Sequence, residues 1–392
     1  MRRAYPILAA WLLTLVASAA DVSADGLNRT FGLPLLGAQG DWSLASLERR
    51  MGGAGIRFQR SPGRYSAFLR GRKALGVPCE EIQVYADPKS GVVTSVDLVF
   101  ANKGDTGGRY AQGIAAADRT ISETLSKLCG APKRTHVGPG AKKLRNPADL
   151  WSSPAADILL ETEKREYVIL HLRPPESGGE KRLTRIRDAS FVANVRRNDF
   201  GDVWIDRLPM VDQGGKGYCA PATMERVLLY FGIKDAGMHK LAEAAGSSAK
   251  GGTTVPELLK AVKPLRRRTG LQYGESADLR LAWVAKYIDD GIPIFWCMYS
   301  TADYNRLRQE NNLARARYSD PQEWKKQLRR QKGFRAIRHF DSAHICLIIG
   351  YNKLTDEIAV SNSWGEKENK PSWVPLKVAQ RVGQGVQFVL HP

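Results

Sequence analysis

Residues 212–232, DQGGKGYCAPATMERVLLYFG, place a cysteine directly before an amphipathic helix, and no other stretch constrains the fold as strongly. Glu225 and Arg226 fall on the side of this helix away from its apolar stripe, so we expect them to face solvent. Gly232 supplies a C-terminal stop. The residues that recur at helical spacing and predict one buried face are Thr223, Met224, Val227, Leu228 and Phe231.

Cys219 stands at the start of this helix. The first N–H groups of a helix have no partner within it, and the positive end of the helix dipole favours an anion there. We therefore expect the pKa of Cys219 to be lowered, and a thiolate is the nucleophilic form of cysteine. Taken alone, however, a cysteine before a helix is more often a small buried residue.

Two later stretches add residues that suit a cysteine nucleophile. His344 opens an apolar strand in HFDSAHICLIIGYN, and Asn362 lies in VSNSWGE. An imidazole can take the thiol proton and later give it to a leaving amine. An amide oxygen on the far ring nitrogen would fix the imidazole tautomer. Gln213, with the backbone N–H of Cys219, can hold a developing oxyanion. Because these residues are far apart in sequence, only folding would bring them together.

The order of glutamine, cysteine before a helix, histidine opening a strand, and Asn-Ser-Trp-Gly resembles the papain clan of cysteine peptidases. The stretch QGGKGYCAPATMERVL resembles the peptidase C-39-like branch, which includes relatives of bacteriocin-leader-processing peptidases. This resemblance covers residues 195–390. It implies Cys219 as nucleophile, His344 as base and acid, Asn362 as orienting residue and Gln213 as oxyanion ligand. Many relatives have Asp in place of Asn362, whereas papain has Asn.

The resemblance implies a papain-like fold, with a helical part that carries the cysteine and an antiparallel sheet that carries the histidine and asparagine. It also implies peptide-bond hydrolysis through an acyl-enzyme, with no metal or organic cofactor. Two alternatives remain. One is a non-catalytic papain-like module that binds peptide or wall polymer. The other is an amidase or transamidase that uses the same triad. Enzymes of this clan that act on the cell wall often have a Cys-His-His triad. The Asn-Ser-Trp-Gly stretch of this chain therefore argues against a wall-directed enzyme.

Residues 1–20 have the pattern of a cleaved signal peptide: two arginines, an apolar core and the small residues Ala-Ser-Ala. An uncleaved anchor is the alternative, but the apolar run is short for a membrane span. A bacteriocin-processing transporter would also carry membrane spans and an ATPase loop, and neither pattern is present. We therefore expect a secreted or periplasmic protein without a transmembrane span in the mature chain.

The net charge of +19, from 59 basic and 40 acidic residues, is unusual for a soluble protein. It permits weak association with an anionic envelope surface and a preference for acidic substrates. No recognisable nucleic-acid-binding motif accompanies it, so we expect a peptide or protein substrate and no nucleic-acid partner.

We expect an α+β protein of two domains. An N-terminal α+β domain of unknown function covers residues 27–175, and the peptidase domain covers 201–392. Between them, residues 176–200 are predicted as a linker, because the polar stretch around Pro174-Pro175 and Gly178-Gly179 is rich in residues that break helices and strands. Cys79 and Cys129 are the only cysteines of the first domain. In an exported protein they are candidates for a disulfide, although two buried thiols are the alternative.

Residues 301–340 form a strongly basic segment just before His344, with eleven basic and four acidic side chains. The plainer interpretation is a solvated helical excursion. The alternative interpretation is a basic rim beside the active site that binds acidic groups of a ligand.

Overall fold

The computed structural model describes residues 21–106, 110–140, 143–175, 186, 189–248, 252–331, 337 and 342–392. The predicted signal peptide and about half of the predicted linker, residues 176–185 and 187–188, lie outside these residues. Within them the chain combines helices with antiparallel sheets in two domains, which confirms the expected α+β class. No helix in this part of the chain combines the length and apolar character that a membrane span needs.

The strands of the first domain come from ten short segments. They are β1 Gln59–Ser61, β2 Arg64–Phe68, β3 Lys73–Ala74, β4 Val77–Pro78, β5 Glu81–Ala86, β6 Val93–Asn102, β7 Lys133–Val137, β8 Asn146–Ser152, β9 Asp157–Glu163 and β10 Tyr167–Arg173. Eight of them form one antiparallel sheet in the order β1-β2-β5-β6-β10-β9-β8-β7. Asp87 stabilises the turn between β5 and β6, because its Oδ1 accepts from the N–H groups of Lys89 and Ser90 at 3.0 and 2.8 Å.

Helices α1 Ala24–Phe31, α2 Leu44–Gly53, α3 Lys103–Thr106 and α4 Tyr110–Cys129 accompany this sheet. Helix α4 ends at Cys129, directly before Gly130. Ile121 and Leu125 of α4 are fully buried in the core of the first domain.

The second domain contains β11 Val195–Arg197, β12 Asp202–Ile205, β13 Gln272–Ser276, β14 Ile294–Tyr299, β15 Ala343–Asn352, β16 Glu357–Ser361, β17 Ser372–Pro375 and β18 Gly383–His391. Its sheet runs β11-β12-β15-β14-β18-β13, and β16 pairs with β15 and β17. Strand β11 lies inside the stretch predicted as linker. The exact domain limits remain predictions.

The helices of this domain are α5 Cys219–Tyr230, α6 Met238–Ala244, α7 Val255–Thr269, α8 Leu281–Asp289, α9 Ala302–Arg315, α10 Pro321–Arg330 and α11 Leu376–Val382. Helix α7 starts with a capping box, in which Thr254 and Glu257 exchange hydrogen bonds. Helix α5 packs on β15, where Thr223 Oγ1 donates to the carbonyl of Ile345 at 3.3 Å. This contact brings the N-terminal half of α5 against the part of β15 that follows His344.

The expectation that Glu225 and Arg226 face solvent is wrong, because both side chains are buried. Glu225 lies under the first domain: its Oε1 is 3.5 Å from Arg64 Nε and accepts from the Tyr85 hydroxyl at 3.1 Å. Arg226 instead donates to the carbonyls of Pro209 and Asn362, both at 2.9 Å. The polar side of α5 is therefore an internal contact surface.

Residues 301–331 of the basic segment are largely helical, as expected, but they are only partly solvated, because one side of these helices is buried against the domain. Helices α9 and α10 leave and rejoin the sheet at the β14–β15 pair, where Met298 faces His344. Arg315 is buried between Asp202, at 2.5 Å, and Glu357, at 2.9 Å. These acids lie outside the segment, so its local charge count overstated its free positive charge.

Cys79 and Cys129 are both free thiols, so the disulfide expectation is not met. Cys79 is buried, and its Sγ–H is directed at the carbonyls of Glu81 and Val99, at 3.7 and 3.6 Å. This thiol is engaged with the backbone of the strand pair, while Cys129 is half-buried at the end of α4.

Candidate active site

Cys219 is the first residue of α5 and is half-buried. Burial raises the pKa of its thiol, and hydrogen bonds from backbone N–H groups, including that of Ile345, oppose the rise only in part. This corrects the expectation of a lowered pKa, because desolvation outweighs the favourable place at the helix start. At neutral pH the group is therefore a thiol.

His344 is the second residue of β15, and its ring is buried. Its Nε2–H donates to Asn362 Oδ1 at 3.0 Å, and this tautomer leaves Nδ1 as an unprotonated acceptor. Burial lowers the pKa of His344 to about 4, although the bond to Asn362 opposes the shift. A neutral imidazole with a free acceptor nitrogen is the form that a general base requires.

Asn362 directly follows β16 and is almost fully buried. Its Nδ2 donates to Glu368 Oε2 at 2.9 Å, so its Oδ1 faces His344. Its backbone carbonyl accepts from Arg226 Nη1 at 2.9 Å. Burial lowers the pKa of Arg226 to about 10, which still leaves it charged at neutral pH. Through Arg226, the helix that starts at Cys219 is tied to the backbone of Asn362.

Gln213 lies in the loop before α5 and is buried. Its Nε2 donates to the carbonyl of Lys216 at 2.8 Å, and its Oε1 accepts from Ser363 Oγ at 2.7 Å. The backbone N–H of Gln213 also donates to the Ser363 carbonyl at 2.9 Å. These bonds join the glutamine loop to the residue after Asn362 and fix the direction of the side-chain amide.

Trp364 covers one side of the imidazole. Its ring stacks on that of His344 with centroids 4.6 Å apart and planes inclined by 28°. Gly365 follows with φ of 90°, and a Cβ there would lie 2.9 Å from Asp212 Oδ2. A side chain at this position would therefore disturb both the backbone and the glutamine loop.

The structure thus brings together His344 and Asn362 by a direct hydrogen bond, and ties Gln213 to them through Ser363. Cys219 lies close to them, because its sulfur is within hydrogen-bonding reach of the backbone N–H of Ile345, the residue after His344. The side chains of Cys219 and His344, both in the described part of the chain, form no hydrogen bond with each other. Loose nucleophile–base geometry is common when no substrate is present.

Residues 205–381 match the model of the Peptidase_C39 like family. This part of the chain is a C39-like peptidase domain. The resemblance in the glutamine-cysteine stretch is thereby confirmed. Among solved structures, that of a candidate C39-like peptidase from Bacillus anthracis matches with a TM-score of 0.31 and 11% identity, over 49% of this chain and 98% of that chain. No curated protein matches the chain.

Sequence reasoning missed two charged residues of the C39-like domain that meet at the site. Glu368 accepts from Asn362, and its other oxygen accepts from Arg308 Nη2 at 3.0 Å. Burial raises the pKa of Glu368, but the hydrogen bonds from Arg308 and Asn362 outweigh it, so the net pKa lies below the usual value. The only local signal was the position of Glu368 six residues after Asn362. Arg308 lies in the basic segment and looked like a surface residue.

Proposed function

We propose that this protein is a cysteine peptidase in which Cys219 is the nucleophile, His344 the general base and acid, and Asn362 the orienting residue. The observation that carries the proposal is the 3.0 Å bond from His344 Nε2 to Asn362 Oδ1, which leaves Nδ1 as the acceptor. The same ring lies on the strand that packs against the start of the nucleophile helix. The match to the C39-like family supports peptide bonds as the substrate class.

In this mechanism the resting site holds a neutral thiol and a neutral imidazole, because burial shifts both pKa values towards the uncharged forms. His344 Nδ1 takes the thiol proton as the Cys219 sulfur attacks the carbonyl carbon of the scissile bond. The tetrahedral intermediate then loses its amine, which receives that proton from His344. Water attacks the resulting thioester with His344 again as base, and the acid product and the free thiol are released.

The oxyanion would be held by the backbone N–H of Cys219 and by the amide of Gln213. Gln213 Nε2 carries two hydrogens, and its bond to Lys216 uses one of them. The bond from Ser363 to Oε1 keeps the nitrogen end of the amide in place. A preoriented donor costs no reorganisation when charge develops, which is the main advantage of such a site.

We also propose that the protein is exported and favours acidic substrates. Residues 1–20 support export through their signal-peptide pattern, and the net charge of +19 supports attraction to anionic groups.

The decisive experiment combines a thiol-reactive peptidyl epoxide with hydrolysis of fluorescein-labelled casein. We expect the epoxide to modify Cys219, and Cys219→Ala to abolish both labelling and hydrolysis. Cys129→Ala is the matched control, since it removes another half-buried thiol in the other domain. Hydrolysis that persists in Cys219→Ala would refute the proposal. Labelling of Cys219 without hydrolysis of casein or of other peptides would favour an amidase, a transamidase or a binding module.

A further inference from the structure

A carboxylate stands behind the proposed orienting residue. Glu368 lies in a short 3₁₀ turn, Glu366–Asn369, that directly follows Gly365. One oxygen accepts from Asn362 Nδ2 at 2.9 Å, and the other accepts from Arg308 Nη2 at 3.0 Å. The Arg308 side chain is only 4% exposed and that of Glu368 is 19% exposed, so the contact is largely shielded from water.

The chemistry of Glu368 determines which end of the Asn362 amide faces it. An ionised carboxylate can only accept hydrogen bonds, so the group of Asn362 that faces Glu368 must be its NH₂. The Asn362 oxygen is then turned to His344, and only a ring with hydrogen on Nε2 can donate to it. Such a ring has no hydrogen on Nδ1. The state of Glu368 is thus transmitted through Asn362 to the tautomer of His344.

Arg308 keeps Glu368 in the ionised, accepting state. A second hydrogen bond, from Arg308 Nη1 to Ser372 Oγ at 2.8 Å, holds the guanidinium in place. Charge-assisted hydrogen bonds are about twice as strong as neutral ones, so Arg308 determines which end of any group at position 368 faces it. Arg308 belongs to α9, which follows β14 in the chain and precedes β15, the strand that carries His344.

We infer that Glu368, held by Arg308, is a positioning residue that sets the hydrogen-bond direction from Asn362 to His344 and thereby selects the imidazole tautomer with a free Nδ1. The inference rests on the proposed function for its catalytic consequence. Its structural content, the tautomer itself, can be measured without any substrate.

Two single substitutions should break the hydrogen-bond chain in opposite ways. In Glu368→Gln the single carbonyl oxygen turns to Arg308, so the new NH₂ group faces position 362. Asn362 must then reverse, its NH₂ faces the ring, and His344 takes the tautomer with hydrogen on Nδ1. In Asn362→Asp two carboxylates meet at a distance of about 2.9 Å. Such a pair retains a proton and loses it as pH rises, with repulsion as the result.

The double variant Asn362→Asp/Glu368→Gln should restore the chain. The new carboxylate at position 362 would accept both from His344 and from the NH₂ group of the new amide at position 368. The oxygen of that amide would accept from Arg308. Every donor again meets an acceptor, and Nδ1 is again free of hydrogen. A merely structural role for Glu368 predicts the opposite, since two damaging substitutions would then add up.

Two exposed neighbours serve as matched controls. Glu366→Gln removes a carboxylate from the same 3₁₀ turn, and Arg306→Gln removes an arginine from α9 that pairs only with Asp303 and Glu310 among the described residues. We expect both variants to keep the wild-type tautomer and the wild-type hydrolysis rate.

The test uses the full-length protein with ¹⁵N NMR of its histidine rings, the His344 signals being assigned by their loss in His344→Gln. We expect hydrogen on Nε2 in the wild type and the double variant, and on Nδ1 in Glu368→Gln. With fluorescein-casein as substrate, Glu368→Gln should lower kcat by about tenfold to a hundredfold with little change in KM, since a wrong tautomer costs up to ~10⁴ in a related triad. The double variant should recover to within about threefold of wild type.

Unchanged tautomer and kcat in Glu368→Gln would overturn the inference, and so would a double variant no better than the weaker single one. Failure of the proposed function is separate. If the wild type cleaves no casein while the tautomers follow the expected pattern, the peptidase proposal fails and the positioning role of Glu368 stands. Thermal melting of each variant identifies any that has simply unfolded.

Discussion

Arg64 offers a severe test of the contact between the two domains. Its side chain is 1% exposed and lies between two buried glutamates, with Nη2 3.3 Å from Glu81 and Nε 3.5 Å from Glu225. Nη1 also donates to the carbonyl of Met210 at 3.3 Å. Arg64→Met would keep most of the volume and leave two carboxylates buried without their common partner.

Removal of one member of a buried ion pair typically costs about 3–5 kcal/mol, because the remaining charge is uncompensated. That corresponds to a factor of roughly 10² to 10⁴ in the unfolding equilibrium constant. Arg60→Met is the control, since Arg60 pairs with Glu48 at 2.9 Å but its side chain is 68% exposed. An exposed pair is worth about 0–1 kcal/mol, so the control should change stability little.

The pH dependence of this loss has a definite sign. Burial raises the pKa of both Glu81 and Glu225, and Arg64 opposes the rise. Without Arg64 the folded-state pKa values rise further, so the folded protein binds protons more tightly than the unfolded chain. The stability that proton binding by these two carboxyl groups contributes is fully present below their pKa in the unfolded chain. It is lost as pH rises through their pKa in the folded protein. The deficit of Arg64→Met should therefore be smaller at pH 5 than at pH 8.

Urea titration followed by tryptophan fluorescence would measure the free energy of the first unfolding transition at each pH. Adding Glu225→Gln to Arg64→Met should recover part of the loss at pH 8, since it removes one of the stranded charges. The reasoning is refuted if Arg64→Met and Arg60→Met unfold alike at pH 8. It is also refuted if the deficit grows towards acid pH.

Three further predictions concern the thiols and the basic surface. The alkylation rate of Cys219 by iodoacetamide should rise steadily from pH 5 to pH 9, since burial raises its pKa; a plateau across that range would indicate a preformed thiolate instead. The denatured, unreduced protein should contain five titratable thiols, and three would indicate the disulfide that the structure lacks. Arg329 and Arg330 are exposed at the end of α10, so their replacement by Gln should lower kcat/KM for casein at low salt. The replacement should leave kcat/KM unchanged at about 1 M salt, where the Debye length is ~3 Å. Equal effects at both salt concentrations would argue against electrostatic steering of the substrate.

Local sequence patterns predict the helices and strands that carry the site, but they do not predict the buried ion pairs that stabilise its arrangement. The start of α5 at Cys219 and the capping box of Thr254 follow from residues within one turn of each helix. The contact of Arg308 with Glu368 joins residues 60 positions apart, and no periodicity marks it. Apolar spacing treats every charged side chain as exposed and therefore predicts that Glu225 faces solvent, although residues of the first domain cover this side chain.

The first domain also reaches the loop that leads into Cys219. Lys216 is buried in this loop, with Nζ 3.0 Å from Asp105 of the first domain. The hydroxyl of Tyr218, the residue before Cys219, donates to Glu166 of the same domain. Gln213 depends on this arrangement, because its amide nitrogen is held by the carbonyl of Lys216.

These contacts bear on what the first domain does. An ammonium group that is buried beside one carboxylate needs that carboxylate, since an unpaired buried charge is costly. Without Asp105 and Glu166, the loop would have to bring Lys216 to solvent, and the carbonyl that orients the Gln213 amide would move with it. The glutamine and the start of the cysteine helix are thus positioned from outside the C39-like domain. The first domain is therefore better regarded as part of the structure that shapes the site than as an independent appendage.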